Sequence, residues 1–161
     1  QETLEKEIFF KILYSGGLRI EECFSIDKSS FDKYDDCFLV RINLSKTFNR
    51  YIFVFDYNDK ISFLLNSGWK EWSFKYYAIL KQFRQYNKLF NKKGKFHLIR
   101  KSKMSEEAQN GNLTLFEFNK YFGLTINSKV HNHYIAIDEN IVYRKLSGAK
   151  KDNLLLNKAI S

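Results

Sequence analysis

Four short stretches of the chain hold residue types that could do chemistry. In Ser15–Glu22 (SGGLRIEE) a helical pattern stops on a glycine pair, and Arg19 then precedes Glu22 by one helical turn. Lys46 falls in a turn between two β-rich runs. His97 and Arg100 stand at i, i+3 on one helical face, next to the basic run Asn91–Lys95 (NKKGK). His131-Asn132-His133-Tyr134 completes the set. A guanidinium is a fixed, always-charged fork that holds two oxygens of one anion, which a lysine does less well. An imidazole or amine can move protons. A phenol, with a pKa of about 10, becomes a nucleophile once neighbouring cations favour its anion. Each stretch alone also has a plainer meaning. Arg19 can be a solvated residue at a helix–turn–helix corner and Lys46 a solvated turn lysine. His97 with Arg100 can be a nonspecific phosphate-binding surface. His131 and His133 can be surface side chains beside a tyrosine packed in the core.

The elements that must position these residues follow from composition and periodicity. The chain has 161 residues, 44% hydrophobic and 17% aromatic, which suits one packed domain and excludes wholesale disorder. Lys and Arg number 27 against 18 acids, a formal charge of +9 that favours a polyanionic partner, nucleic acid or an anionic surface. No apolar run approaches the roughly 20 residues of a membrane-spanning helix, and no secretory signal is visible at the start. Cys23 and Cys37 are too few for a disulfide scaffold or a thiolate zinc cluster, so a reducing, cytoplasmic setting is expected. Leu4, Ile8, Phe9, Ile12 and Leu13 recur at helical spacing up to Ser15-Gly16-Gly17, and a short second helix starts near Leu18. Ser29–Asp36 reads as a polar turn. Cys37–Leu44 and Arg50–Phe55 read as paired strands, with Phe38, Val40, Ile42 and Leu44 on one face and Ser45–Asn49 as the hairpin turn. Asn58–Trp69 is compatible with a short helix ended by Ser67-Gly68. Trp72, Tyr76, Ile79, Leu80, Phe83, Tyr86 and Phe90 form an apolar stripe of a longer helix. Helices are expected over His97–Gln109, over Leu113–Phe122 with Thr114 and Glu117 as a capping box, and over Asp138–Leu146. The fold class is therefore α+β, mainly helical with a small antiparallel sheet. The tail over 147–161 is expected to be extended or to dock on a neighbour.

An arginine after a serine–glycine–leucine-like corner, a hairpin lysine, an HxxR pair and a late tyrosine occur in the order found in tyrosine recombinases, the phage-integrase family. From about Leu4 to Leu146 the chain resembles the catalytic domain of that family, and the HY pair followed by YRKL is most similar to archaeal virus and plasmid integrases. The resemblance implies site-specific DNA strand cleavage and rejoining through a covalent 3′-phosphotyrosine. Arg19 and Arg100 would hold the non-bridging oxygens of the five-coordinate phosphorus. Tyr134 would attack, Lys46 would protonate the departing 5′-oxygen and His97 would assist proton transfer. Glu22 would orient the arginine pocket, with His131 and His133 in support. Neither metal nor cofactor is implied, because the arginines neutralise the charge. Double-stranded DNA is the expected partner, bound by a homo-oligomer of two to four subunits. A separate N-terminal DNA-clamping domain, usual in the family, is not within these residues. Arg84, Lys88, Lys92, Lys93 and Lys95 are expected to contact phosphates without reading sequence. One position departs from the family's pattern. After Gly123, where a His, Trp or basic residue normally stands, the chain has Leu124. Lys120, Thr125, Lys129 and His131 are candidates to replace it. That departure keeps a rival open, a noncatalytic basic DNA-binding domain.

Overall fold

The computed structural model describes residues 1–43 and 50–125. Lys46, Lys129, His131, His133, Tyr134, the helix expected over Asp138–Leu146 and the tail lie outside the described residues. The element order is α1 (Glu2–Ser15), α2 (Ile20–Phe24), a single 3₁₀ turn (Lys28–Ser30), β1 (Phe31–Tyr34), β2 (Cys37–Ile42), β3 (Arg50–Val54), α3 (Asn58–Asn66), α4 (Tyr76–Leu89), α5 (Phe96–Asn110) and α6 (Leu115–Tyr121). The mainly helical outline with one small antiparallel sheet is thus present.

The core forms where the helical stripe of α1 meets the inner face of the sheet. Ile8, Phe9, Ile12 and Leu13 of α1 are buried together with Val40, Ile42, Ile52 and Val54 of the strands. Complete burial of each such side chain contributes about 1.5–3 kcal/mol before chain entropy is counted. Phe9 also sits against Phe24, Trp72 and Phe74, with ring centroids 4.7–5.4 Å apart. A smaller apolar cluster of Met104, Phe118, Phe122 and Leu124 joins α5 to the end of α6.

The sheet order is β1-β2-β3, antiparallel throughout. Val40 pairs with Ile52 and Ile42 with Arg50, so residues alternate in and out with the period of a strand. The expected polar turn over Ser29–Asp36 is in fact an edge strand. Phe31 packs on Phe38 and Trp69, while Asp32 points outward to pair with Arg41 on β2. An edge strand needs only one apolar anchor, and its charges discourage further pairing. The turn proper is Asp35-Asp36, where Asp35 takes a left-handed φ of 50°.

The long apolar stripe also differs from its expectation. Helix α4 begins at Tyr76, and Trp72 precedes it in a non-helical segment where its indole Nε1 donates to Cys23 O at 3.0 Å. Within α4 only Ile79 is fully buried, whereas Tyr76 and Tyr86 are exposed, as is Phe90 just beyond the helix. Phe83 instead stacks on Phe96 of α5, 4.6 Å between centroids. Asn58–Asn66 is helical as the pattern allowed, and the Thr114/Glu117 capping box forms at the start of α6.

Candidate active site

The site is built where α1 ends. Ser15, Gly16 and Gly17 turn the chain into α2, and neither glycine has room for a side chain. A Cβ on Gly16 would lie 2.7 Å from Ile52 Cδ1; one on Gly17, whose φ is +51°, would lie 2.8 Å from Phe122 Cε1. Ending a helix leaves carbonyls that its own ladder no longer uses. Here three successive ones are met by three side chains from elsewhere. The Tyr121 hydroxyl donates to Ser15 O at 3.1 Å, Arg50 Nη2 to Gly16 O at 2.6 Å and Arg100 Nη1 to Gly17 O at 2.5 Å. The same two arginines also reach the last carbonyls of α6. Arg50 Nε donates to Tyr121 O at 2.6 Å and Arg100 Nη2 to Phe122 O at 2.7 Å. Strand β3 and helix α5 therefore each send one guanidinium to bind the corner to the end of α6. Burial raises the Tyr121 phenol above its ordinary pKa.

Arg19 stands on this corner as the extended residue that caps the start of α2. Its backbone N–H donates to Glu22 Oε2 at 2.8 Å and its Nη1 to Glu22 Oε1 at 3.1 Å. The Arg19 side chain is 39% exposed, while Glu22 is 3% exposed. Glu22 also accepts from Arg50 Nη1 at 2.6 Å, and the Arg50 side chain has no exposure at all. One buried carboxylate thus lies between two guanidinium groups, and only Arg19 reaches water. Burial draws Arg50 below its usual pKa, and the Glu22 charge opposes that shift. The three charges sum to a single positive one, presented outward by Arg19. Gly123 closes the arrangement. Its φ is +63°, and a Cβ there would meet Arg50 Cδ at 3.2 Å and Arg19 Nη1 at 3.8 Å.

The other sequence candidates divide between two places. Arg100 is buried at the corner, as described. His97, one turn earlier on α5, is exposed and lies elsewhere, in an open groove of about 560 Å³ between α4 and α5. That groove is lined by Arg84, Lys88, Lys92, Lys93 and Lys95 with Asn87 and Leu98. The expected phosphate contacts therefore share one surface, and among the described residues none of these cations is ion-paired. Leu124 is 7% exposed and packs with Phe118 and Phe122, a core residue with no polar function. Of its candidate replacements, Lys120 and Thr125 are exposed. Among the described residues no group of three His, Cys, Asp or Glu side chains is gathered as a metal site needs. What the corner offers is donors for an anion.

Sequence reasoning missed Arg50 and Tyr121. A signal for Arg50 existed. Strand periodicity puts it on the inward face with Ile52 and Val54, and a charge at an inward position requires a partner. Nothing local marks Tyr121, whose partner Ser15 is 106 residues away.

The fold, an assembly of helices around a small antiparallel sheet, is shared with part of a solved site-specific recombinase. The solved structure that carries this likeness is the XerH site-specific recombinase bound to its palindromic difH substrate, in a post-cleavage complex. The match has a TM-score of 0.67 at 15% sequence identity, and covers 89% of this chain and 45% of that one. The chain therefore spans less than half the length of that recombinase. No family model matches the sequence, and no curated protein matches it.

Proposed function

We propose that this chain is the catalytic domain of a site-specific DNA recombinase that cuts and rejoins strands through a phosphotyrosine. The observation that carries the reading is the Arg19 corner: a partly exposed guanidinium, fixed at its backbone and side chain by a buried carboxylate, on the fold of a recombinase. In this reading Arg19 holds the non-bridging oxygens of the scissile phosphate, and Arg100, buried with Nη1 and Nη2 on Gly17 O and Phe122 O, braces the corner behind it. Preorganised donors of this type are worth about 3–4 kcal/mol each, by analogy with an oxyanion hole. Tyr134 attacks the phosphorus, the 5′-oxygen leaves with a proton from Lys46, and the phosphotyrosine bond retains the energy for rejoining. His131 and His133 act in support, while His97 stands with the cations of the α4–α5 groove. The cations of the α4–α5 groove track the DNA backbone, and a homo-oligomer assembles on a double-stranded site inside the cell. The His133-Tyr134 pair followed by YRKL supports a likeness to the archaeal virus and plasmid integrases.

The test starts by selecting the bound site from a random duplex library. That site, nicked near its centre so that the cut end diffuses away, is incubated with the protein and run on a denaturing gel. Wild type is expected to give a covalent protein–DNA adduct and Tyr134→Phe none. An adduct that persists in Tyr134→Phe overturns the assignment of the nucleophile. The burial of Leu124 where the family places a polar group supports a second reading, a noncatalytic DNA-binding domain. Wild type that binds the selected duplex without ever forming an adduct establishes that reading instead.

A further inference from the structure

We propose that Arg50 is a positioning residue for Arg19, setting through the shared Glu22 carboxylate where the Arg19 fork stands against a DNA phosphate. The inference rests on the reading of Arg19 as a phosphate-binding group and extends it to a residue that never meets DNA.

Direct contact is excluded by burial. The Arg50 side chain is wholly inaccessible, and Nε, Nη1 and Nη2 are each committed, to Tyr121 O, Glu22 Oε2 and Gly16 O. Its action on Arg19 has two parts. The first is electrostatic. Glu22 alone would cancel Arg19, and an anion approaching a neutral pair gains little. With Arg50 behind the carboxylate, the cluster keeps one net positive charge facing outward. The second is geometric. Glu22 Oε2 accepts from both Arg50 Nη1 and the Arg19 backbone N–H, so the oxygen that Arg50 holds also fixes the residue that caps α2. The other two Arg50 bonds fix Arg50 itself to the corner and to the end of α6. A lysine at this position could neutralise Glu22 but has no planar fork to reach the two carbonyls together. Arg50 is also the first residue of β3, so its bonds tie the start of that strand to the corner of Arg19.

The experiment uses the 161-residue chain, the duplex selected above and three variants: Arg50→Lys, Arg50→Met, and Arg50→Met combined with Glu22→Gln. The double variant removes the carboxylate that Arg50→Met would strand in the core, so it keeps the test alive if the single variant fails to fold. Three quantities are read: affinity for the intact duplex, the adduct-forming rate at saturating duplex, and the guanidinium NMR signals of Arg19, assigned with Arg19→Lys. Affinity is expected to stay within about threefold of wild type in Arg50→Lys and in the double variant, both of which keep the cluster's single net positive charge. The adduct rate of Arg50→Lys and of the double variant is expected to fall about 10²-fold, the cost of a misplaced donor. The Arg19 signals are expected to move to those of a freely rotating, solvated arginine.

Variants that fold and cleave at the wild-type rate overturn the proposal. So does a rate loss that merely follows the folded fraction, or an Arg19 spectrum unchanged in both variants. If wild type forms no adduct, it is the catalytic reading that fails. The Arg19 signals then decide the positioning role by themselves: a change in Arg50→Lys sustains it, and none overturns it.

Discussion

The corner between α1 and α2 and the groove between α4 and α5 both gather arginine and lysine, yet they hold charge in opposite ways. At the corner, Arg50 and Arg100 are buried and spend their donors on main-chain carbonyls, and Glu22 is enclosed between Arg19 and Arg50. In the groove, Lys88, Lys92, Lys93 and Lys95 stand in water on long flexible stems. The first arrangement is expensive to desolvate but fixes position. The second is cheap, mobile and screened by salt. A formal charge of +9 therefore describes two different materials: guanidinium groups fixed in place by buried partners, and lysines free to move in water.

The sharpest way to break this contrast is to treat a corner arginine as if it were a groove lysine. Arg100→Ala strips donors from Gly17 O and Phe122 O in a buried setting, and is expected to lower unfolding free energy by about 3 kcal/mol, read as a shift in the urea midpoint. A loss below about 0.5 kcal/mol would mean that Arg100 is as dispensable as a surface charge. The next effect down tests the corner's backbone. Gly17→Ala combines a left-handed φ with a methyl 2.8 Å from the Phe122 ring, and is expected to cost about 2 kcal/mol by the same measurement.

Groove changes are expected to leave stability alone and act on DNA. Lys92→Ala and Lys93→Ala should each shift unfolding by less than about 0.5 kcal/mol. Each should also reduce by about 1 the slope of log affinity against log salt, for any duplex sequence. Equal slopes for variant and wild type would remove these lysines from the phosphate path. The smallest effect lies further along α5, beyond Arg100. The Tyr14 hydroxyl donates to Glu106 at 2.6 Å and, with Lys103, holds that carboxyl below its ordinary pKa. Because the folded value is depressed, the bond contributes at neutral pH and is lost as pH falls through the Glu106 titration. In Tyr14→Phe the Glu106 carboxyl should titrate at higher pH, followed by NMR; an unmoved titration would break the link between α1 and α5.

The elements that sequence patterns reached were those whose apolar residues repeat at one period. The α1 stripe, the alternation of Phe38, Val40 and Ile42, and the Thr114–Glu117 cap are all local and all present. Strand β1 escaped because an edge strand can be polar where one ring anchors it. The stripe through α4 was overdrawn for the opposite reason. Its aromatics recur at helical spacing, but periodicity does not say how far a neighbouring element extends to cover them. In the site, the Arg19–Glu22 pair was legible because three residues along a helix start are neighbours in any fold. Arg50 lies 28 residues from Glu22, and no local rule joins them.

By itself the sequence determined the residue types, their order along the chain and the faces on which each element would carry them, since helix and strand periods depend only on backbone geometry. It placed a glycine pair where α1 must stop and an arginine just beyond. Only the tertiary structure decided which arginine meets water. Packing α5, β3 and α6 around the Ser15–Gly17 carbonyls buried Arg50 and Arg100, left Arg19 outward and sent His97 into the groove. A guanidinium's environment is set by what surrounds it in space, and residues up to 106 positions apart supply those surroundings.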